Sequence, residues 1–164
     1  MLHGHGDGYR RTSETVADFS SNAWYGGEPA GLKEYVFSQW PRLNRYPEIL
    51  AESLVVRAAA HHGVAPSLVM MSSGTTETIY LVAQAWARRR STVVTPAFAE
   101  YEDAGRLHDY QLTFLAWKDL RADPRTSSNL VFVCNPNNPT DSVLGPRVLE
   151  TLLGQQPAHG VRAR

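Results

Sequence analysis

The 164 residues carry a formal charge of zero, with Lys plus Arg and Asp plus Glu at 16 each, and 43% of them are hydrophobic. That is enough chain for one domain with a real core, and the neutral balance gives no sign of a nucleic-acid or anionic-membrane surface. A single cysteine makes no internal disulfide, which fits a reducing cytoplasm, and no stretch approaches the ~20 apolar residues of a membrane span.

The opening MLHGHGDGYRR lacks the apolar core of a signal peptide. From there to Pro47 the chain is rich in Gly, Ser, Asn and aromatic residues without a regular period. Residues 1–47 therefore read as an extended arm with one short helix, EPAGLKEYVFSQW, stopped by Pro41. His3 and His5 lie in this arm, and two imidazoles are too few for a metal site.

Residues 48–164 have a different character. ILAESLVVRAAAHH spaces its apolar residues as a helix and ends before Gly63, a residue suited to a left-handed cap, with His61 and His62 at its exposed end. SLVMMSS is expected to be a strand, followed by a long helix, GTTETIYLVAQAWARRR. The run Arg88–Arg90 reads as the solvated last turn of that helix, favoured by its dipole. STVVT, QLTFLAW and NLVFV read as further strands, with FAEYEDAGRLHDY as a helix between the first two. PRVLETLLG, with proline in its first turn, is the last helix. Strands alternating with helices give an α/β fold with a mostly parallel sheet.

In such a sheet, ligands collect at the carboxyl ends of strands, where helix N-termini present unpaired N–H groups. SSGTTE stands at such a place: Gly74 permits a tight turn, and Thr75 and Thr76 add hydroxyls to the backbone donors, a combination that suits a phosphate. An ordinary cap by Thr75 or Thr76 accounts for the same residues. Neither G-x-x-x-x-G-K-[ST] nor G-x-G-x-x-G occurs, which argues against a P-loop nucleotide enzyme and a dinucleotide dehydrogenase.

The next strand leads into TPAFAEYED, where Phe98 and Tyr101 share one helix face. They either stack on a flat heterocycle or pack between helix and sheet. The third strand ends in CNPNNPT, with Cys134 read as a small buried residue. Asparagine amides donate and accept without carrying charge, and the flanking prolines hold them in place.

In this order, HGHGDGYR, DFSSN, NRYPE, SSGTTETIYL, TPAFAEYED and NPNNPT resemble the fold-type-I enzymes that use pyridoxal 5′-phosphate (PLP), in the class I/II aminotransferase family. Within it the chain is similar to the branch of histidinol-phosphate aminotransferase and threonine-phosphate decarboxylase, from His3 to about Leu153. The resemblance implies part of a three-layer αβα large domain, preceded by the extended arm. It implies that Gly74, Thr75 and Thr76 hold the PLP phosphate, that Phe98 stacks on the ring with Tyr101 close by, and that Asn138 bonds the pyridine 3-oxygen. Tyr46 would reach the phosphate of a neighbouring subunit in a cytoplasmic homodimer. Asn22 and Gly27 would cover the substrate, an amino acid or amino phosphate undergoing amino-group transfer or decarboxylation.

The family's cofactor-holding lysine, in a Ser-x-x-Lys context, has no counterpart: the two lysines are Lys33 and Lys118. Its Asp-x-x-Tyr motif and its substrate-carboxylate arginine are also missing, and Asp141 stands where the family has glycine, which leaves the turn geometry open. The resemblance thus implies the N-terminal part of such an enzyme, cut short by truncation, gene damage or an incomplete gene model and without the Schiff-base lysine. The alternative is a non-catalytic remnant that binds phosphate or PLP or serves as an interaction module.

Overall fold

A computed structural model describes residues 26–154, which fall into two units, residues 26–72 and 73–154. In the first unit, helix α1 (Leu32–Ser38) starts later than its apolar pattern suggests. Gly31 lies in the left-handed region at φ 77°, and Pro29 accepts a turn bond from Leu32, so the helical geometry begins only after them. Pro41 does more than end this helix: it sits in the first turn of a 3-10 segment, Trp40–Arg42, where its missing N–H costs nothing. Helix α2 (Glu52–His62) ends as expected at Gly63, φ 65°. In its first turn the Ser53 N–H donates to the Glu48 carboxylate at 2.8 Å, and this bond is the main cause that lowers the Glu48 pKa.

SLVMMSS is not a strand. Pro66–Leu68 form a 3-10 turn, and Val69 is extended at φ −118° and ψ 128°, yet no strand of the described residues pairs with it. A strand exists only where a neighbour supplies the ladder, and local β propensity does not substitute for one.

In the second unit, helix α3 (Thr75–Ala85) leads to strand β1 (Arg90–Thr95), and α4 (Glu100–Leu107) leads to β2 (Gln111–Ala116). Helix α5 (Trp117–Ala122), β3 (Leu130–Phe132) and α6 (Pro146–Gly154) follow. The arginine run is not the last turn of α3. The helix stops at Ala85, Arg88 takes φ 60° and donates to the His108 carbonyl at 3.0 Å, and Arg90 already belongs to β1.

The strands are parallel in the order β2-β1-β3, with Val93 level with Phe114 on one side and Phe132 on the other. Central β1 is buried from Ser91 to Val94. Because strand side chains alternate, Val93 and Val94 enter different cores. Val93 packs with Ile79 and Ala83 of α3, Ala104 of α4, Tyr110 and Phe132. Val94 packs with Trp117 and Leu120 of α5, Leu144 and Leu152 of α6. Helices thus cover both faces, the expected αβα layering. Gly105 allows α4 to lie close on β2, since a Cβ there would fall 2.7 Å from the Leu112 side chain.

Candidate cofactor site

Three turns of the second unit meet at the carboxyl ends of β1 and β3. The first opens α3. Gly74 is its N-cap at φ 112°, a backbone conformation that suits glycine. No side chain caps this helix, so the simple-cap reading of Thr75 and Thr76 does not hold. The Glu77 carboxylate instead reaches back to accept from the Ser73 N–H. Among the described residues nothing accepts from the N–H groups of Thr75, Thr76 or Glu77, and the hydroxyls of Thr75 and Thr76 are likewise unengaged. The positive end of the helix therefore offers both backbone and side-chain donors.

The second turn links β1 to α4. Phe98 and Tyr101 meet edge to face, with ring centroids 6.1 Å apart and planes at 89°. Tyr101 also stacks on Phe132 at 5.1 Å and 19°. Both rings pack against the core, and both present surface to the cavity described below. Burial, reinforced by the Cys134 thiol beside it, raises the Tyr101 hydroxyl well above the ordinary tyrosine range, so it stays protonated at neutral pH.

The third turn follows β3. Asn135 clamps Leu144: its Oδ1 accepts from the Leu144 N–H at 2.9 Å and its Nδ2 donates to the carbonyl at 3.4 Å. Asn137 is also held within the protein, whereas the Asn138 carboxamide has no hydrogen-bond partner among the described residues. Asp141 lies at φ 54°, and its N–H donates to the Asn137 carbonyl at 2.7 Å. The aspartate thus adopts the left-handed geometry that glycine takes freely.

These turns border an open cavity of about 410 Å³ lined by Thr75, Thr76, Phe98, Tyr101, Cys134 and Asn138. Five of these residues were singled out from the sequence. Cys134 was not: it is half-buried rather than a sealed core residue, donating to the Pro136 carbonyl and accepting from the Asn138 N–H, each at 3.3 Å. The signal that could have found it is its place at the carboxyl end of a parallel strand. A hollow of about 480 Å³ lies elsewhere, towards the amino end of edge strand β2, and is lined by Arg106, Asp109, Tyr110, Leu112 and Phe114.

Unpaired phosphate-type donors, an aromatic wall and a neutral carboxamide fit a flat anionic ligand carrying a phosphate and a ring oxygen. Gly74 adjoins the cavity through Thr75, while Tyr46 and Gly27 belong to the first unit and are exposed there. Asn22, His3 and His5 lie outside the described residues. Lys33 is on α1 in the first unit, and Lys118, on α5 in the second, does not line the cavity. Among the described residues no group of three metal-ligating side chains occurs, and no helix is long and apolar enough to cross a membrane.

The sequence model for aminotransferase class I and II matches residues 15–163. A threonine-phosphate decarboxylase of Salmonella typhimurium is 31% identical over 140 residues, covering 77% of this chain and 37% of that protein. A histidinol-phosphate aminotransferase of Geobacillus sp. (strain WCH70) is 28% identical over 144 residues, covering 82% of this chain and 39% of that one. The crystal structure of L-threonine-O-3-phosphate decarboxylase from Porphyromonas gingivalis superposes with a TM-score of 0.76 at 28% identity, over 82% of this chain and 42% of that one. The chain thus spans about two fifths of the length of the curated relatives it matches.

Proposed function

The chain belongs to the class I and II aminotransferase family, and on that footing we propose that its second unit supplies the phosphate and ring contacts of a PLP site. The observation that carries this is the cavity at the carboxyl ends of β1 and β3, where unengaged donors of α3 stand with the Phe98 ring and the unpaired Asn138 carboxamide. Thr75, Thr76 and the first N–H groups of α3 hold the phosphate, with Gly74 keeping the turn tight. Phe98 faces the pyridine ring, with Tyr101 fixed behind it by Phe132. Asn138 donates to the pyridine 3-oxygen and so favours its ionised form. When bound, PLP supplies an electron sink for the carbon that loses a proton or a carboxylate.

The substrate class is an amino acid or an amino phosphate, in keeping with the decarboxylase and aminotransferase relatives. The reaction is loss of carbon dioxide or transfer of the amino group. Tyr46, fully exposed in the first unit, suits a contact with a neighbouring subunit, and we read the working form as a cytoplasmic homodimer in which Asn22 and Gly27 border the substrate. One observation favours a second, non-catalytic reading: Lys118, the lysine of the second unit, is not a wall of the cavity. On that reading the chain binds PLP reversibly and performs no chemistry on it.

The test is a titration of the purified chain with PLP, followed by tryptophan fluorescence and cofactor absorbance, then borohydride treatment and peptide mass spectrometry. Saturable binding that dialysis reverses, with no stoichiometric label on either lysine, is expected. Absence of saturable binding would overturn the site, and one-to-one labelling of Lys33 or Lys118 would overturn the non-covalent reading.

A further inference from the structure

Asn138 and Phe98 come from different turns, so something must set the distance between them. Asn137 is placed to do so. It is 3% exposed, and its Nδ2 donates to the Pro96 carbonyl at 2.9 Å and to Thr140 Oγ1 at 2.7 Å. Pro96 lies two residues before Phe98, and Thr140 lies two residues after Asn138. One side-chain amide therefore ties the aromatic turn to the asparagine turn across 41 positions of sequence. The backbone holds the same residue from both sides: its N–H donates to the Ser142 carbonyl at 2.8 Å, and its carbonyl accepts from Asp141.

The orientation of the amide follows from its surroundings. A flipped Asn137 would set its oxygen 2.9 Å from the Pro96 carbonyl oxygen, two acceptors face to face, so the nitrogen must point there. Thr140 accepts from Asn137 and donates onward to Ser142 Oγ at 3.0 Å, which keeps the hydroxyl proton order consistent along the chain of bonds. Asn137 Oδ1 is buried without a partner among the described residues. An unmatched buried acceptor is costly, so an apolar residue would be cheaper here were the two donor bonds not needed.

We propose that Asn137 is a positioning residue: by bonding Pro96 and Thr140 at once, it fixes the Asn138 carboxamide relative to the Phe98 ring. This rests on the PLP reading of the cavity. Two parts of the test are independent of PLP and two depend on it, so the failures can be told apart.

In the full chain without PLP, the side-chain amide hydrogens of Asn137 should exchange slowly with solvent, as a buried bonded amide does. Exchange as fast as that of an exposed asparagine would overturn the strut itself. Asn137→Asp keeps the shape but removes both donors. Its affinity for PLP should fall roughly tenfold, the size of one or two buried hydrogen bonds, with a change in the absorbance of bound PLP as the contact to its 3-oxygen loosens. The deficit relative to wild type should shrink in part as pH falls through the titration of the new carboxyl, because the protonated form regains one O–H donor of the two lost. Asn137→Ala should show a deficit that stays level with pH.

Thr140→Val, at the exposed end of the same bonds, should give a smaller loss and keeps the test available if the Asn137 variants fold poorly. Wild-type affinity and spectrum in Asn137→Asp, or a deficit with no pH rescue, would overturn the proposal while leaving the PLP site intact. If wild type itself takes up no PLP, the site reading fails, and the exchange result and a fall in the melting temperature of Thr140→Val judge the strut alone.

Discussion

The turn into α3 and the turn after β3 line the same cavity but treat their polar groups differently. At the start of α3, Thr75 and Thr76 keep their hydroxyls and N–H groups unengaged among the described residues, while Glu77 is turned back onto Ser73. After β3, Asn135 is committed to Leu144 and Asn137 to Pro96 and Thr140, and Asn138 alone keeps its carboxamide unengaged. On the proposed reading the first turn is an electrostatic socket that a phosphate would complete, and the second is a scaffold, bonded largely to itself, that aims one side chain. Residues that the protein bonds to itself should therefore govern stability, and residues that it leaves unbonded should govern affinity.

The largest effect expected from this contrast is on the phosphate side. Replacing Thr75 and Thr76 together by Val should weaken PLP binding at least ~100-fold, since each hydroxyl would bond a charged phosphate at about 1.5–3 kcal/mol. The melting temperature without ligand should hardly move, because neither hydroxyl has a partner among the described residues. Titration and thermal melting of the same preparation check both halves, and a large loss of stability would break the contrast.

The asparagine turn allows a sharper comparison, since two neighbouring residues of one type should behave oppositely. Asn138→Ala should leave melting unchanged and cost about tenfold in PLP affinity, one hydrogen bond to an ionised oxygen. Asn135→Ala should lower stability by about 1–3 kcal/mol, because it strands the backbone groups of Leu144, itself 3% exposed. Chemical denaturation measures the second and fluorescence titration the first. Similar profiles for the two variants would mean that the turn does not divide its labour between scaffold and ligand.

This division also explains what the sequence could show. Gly74, Thr75, Thr76, Phe98 and Tyr101 were candidates because glycine freedom, helix-end donors and aromatic spacing are local properties, each beside a plain structural reading, and Asn138 was set apart from its neighbours only by the resemblance. The parallel α/β sheet was legible too, from strands alternating with helices, whereas the helix layer on each face, seen in the different cores of Val93 and Val94, came with the resemblance. What depends on distant partners was not. SLVMMSS has a strand's composition but no ladder beside it, and the arginine run is drawn into a turn by the His108 carbonyl, 20 residues further along. Cys134 and Asn137 acquire their roles from contacts with Asn138, Tyr101 and Pro96, and nothing in the spelling of CNPNNPT says which asparagine faces the cavity.

The smallest expected effect lies at Asp141, where the scaffold turn carries a strain that the phosphate turn avoids. Both turns contain a residue at positive φ, Gly74 at 112° and Asp141 at 54°. Glycine takes such angles freely, whereas an L side chain there crowds its own backbone at roughly 1–2 kcal/mol, a cost that aspartate bears more easily than most. Asp141 offsets none of it with a side-chain hydrogen bond among the described residues, although its N–H closes the turn onto Asn137. Glycine relieves the crowding but loses more backbone entropy on folding, so Asp141→Gly should stabilise by only about 0.5–1 kcal/mol. PLP affinity should stay the same, because the turn geometry that aims Asn138 is already in place. Denaturant unfolding with a parallel titration reads both. Unchanged or reduced stability would show that the aspartate side chain contributes more than its strain costs, and increased affinity would show that the turn was not fully set before the ligand arrived.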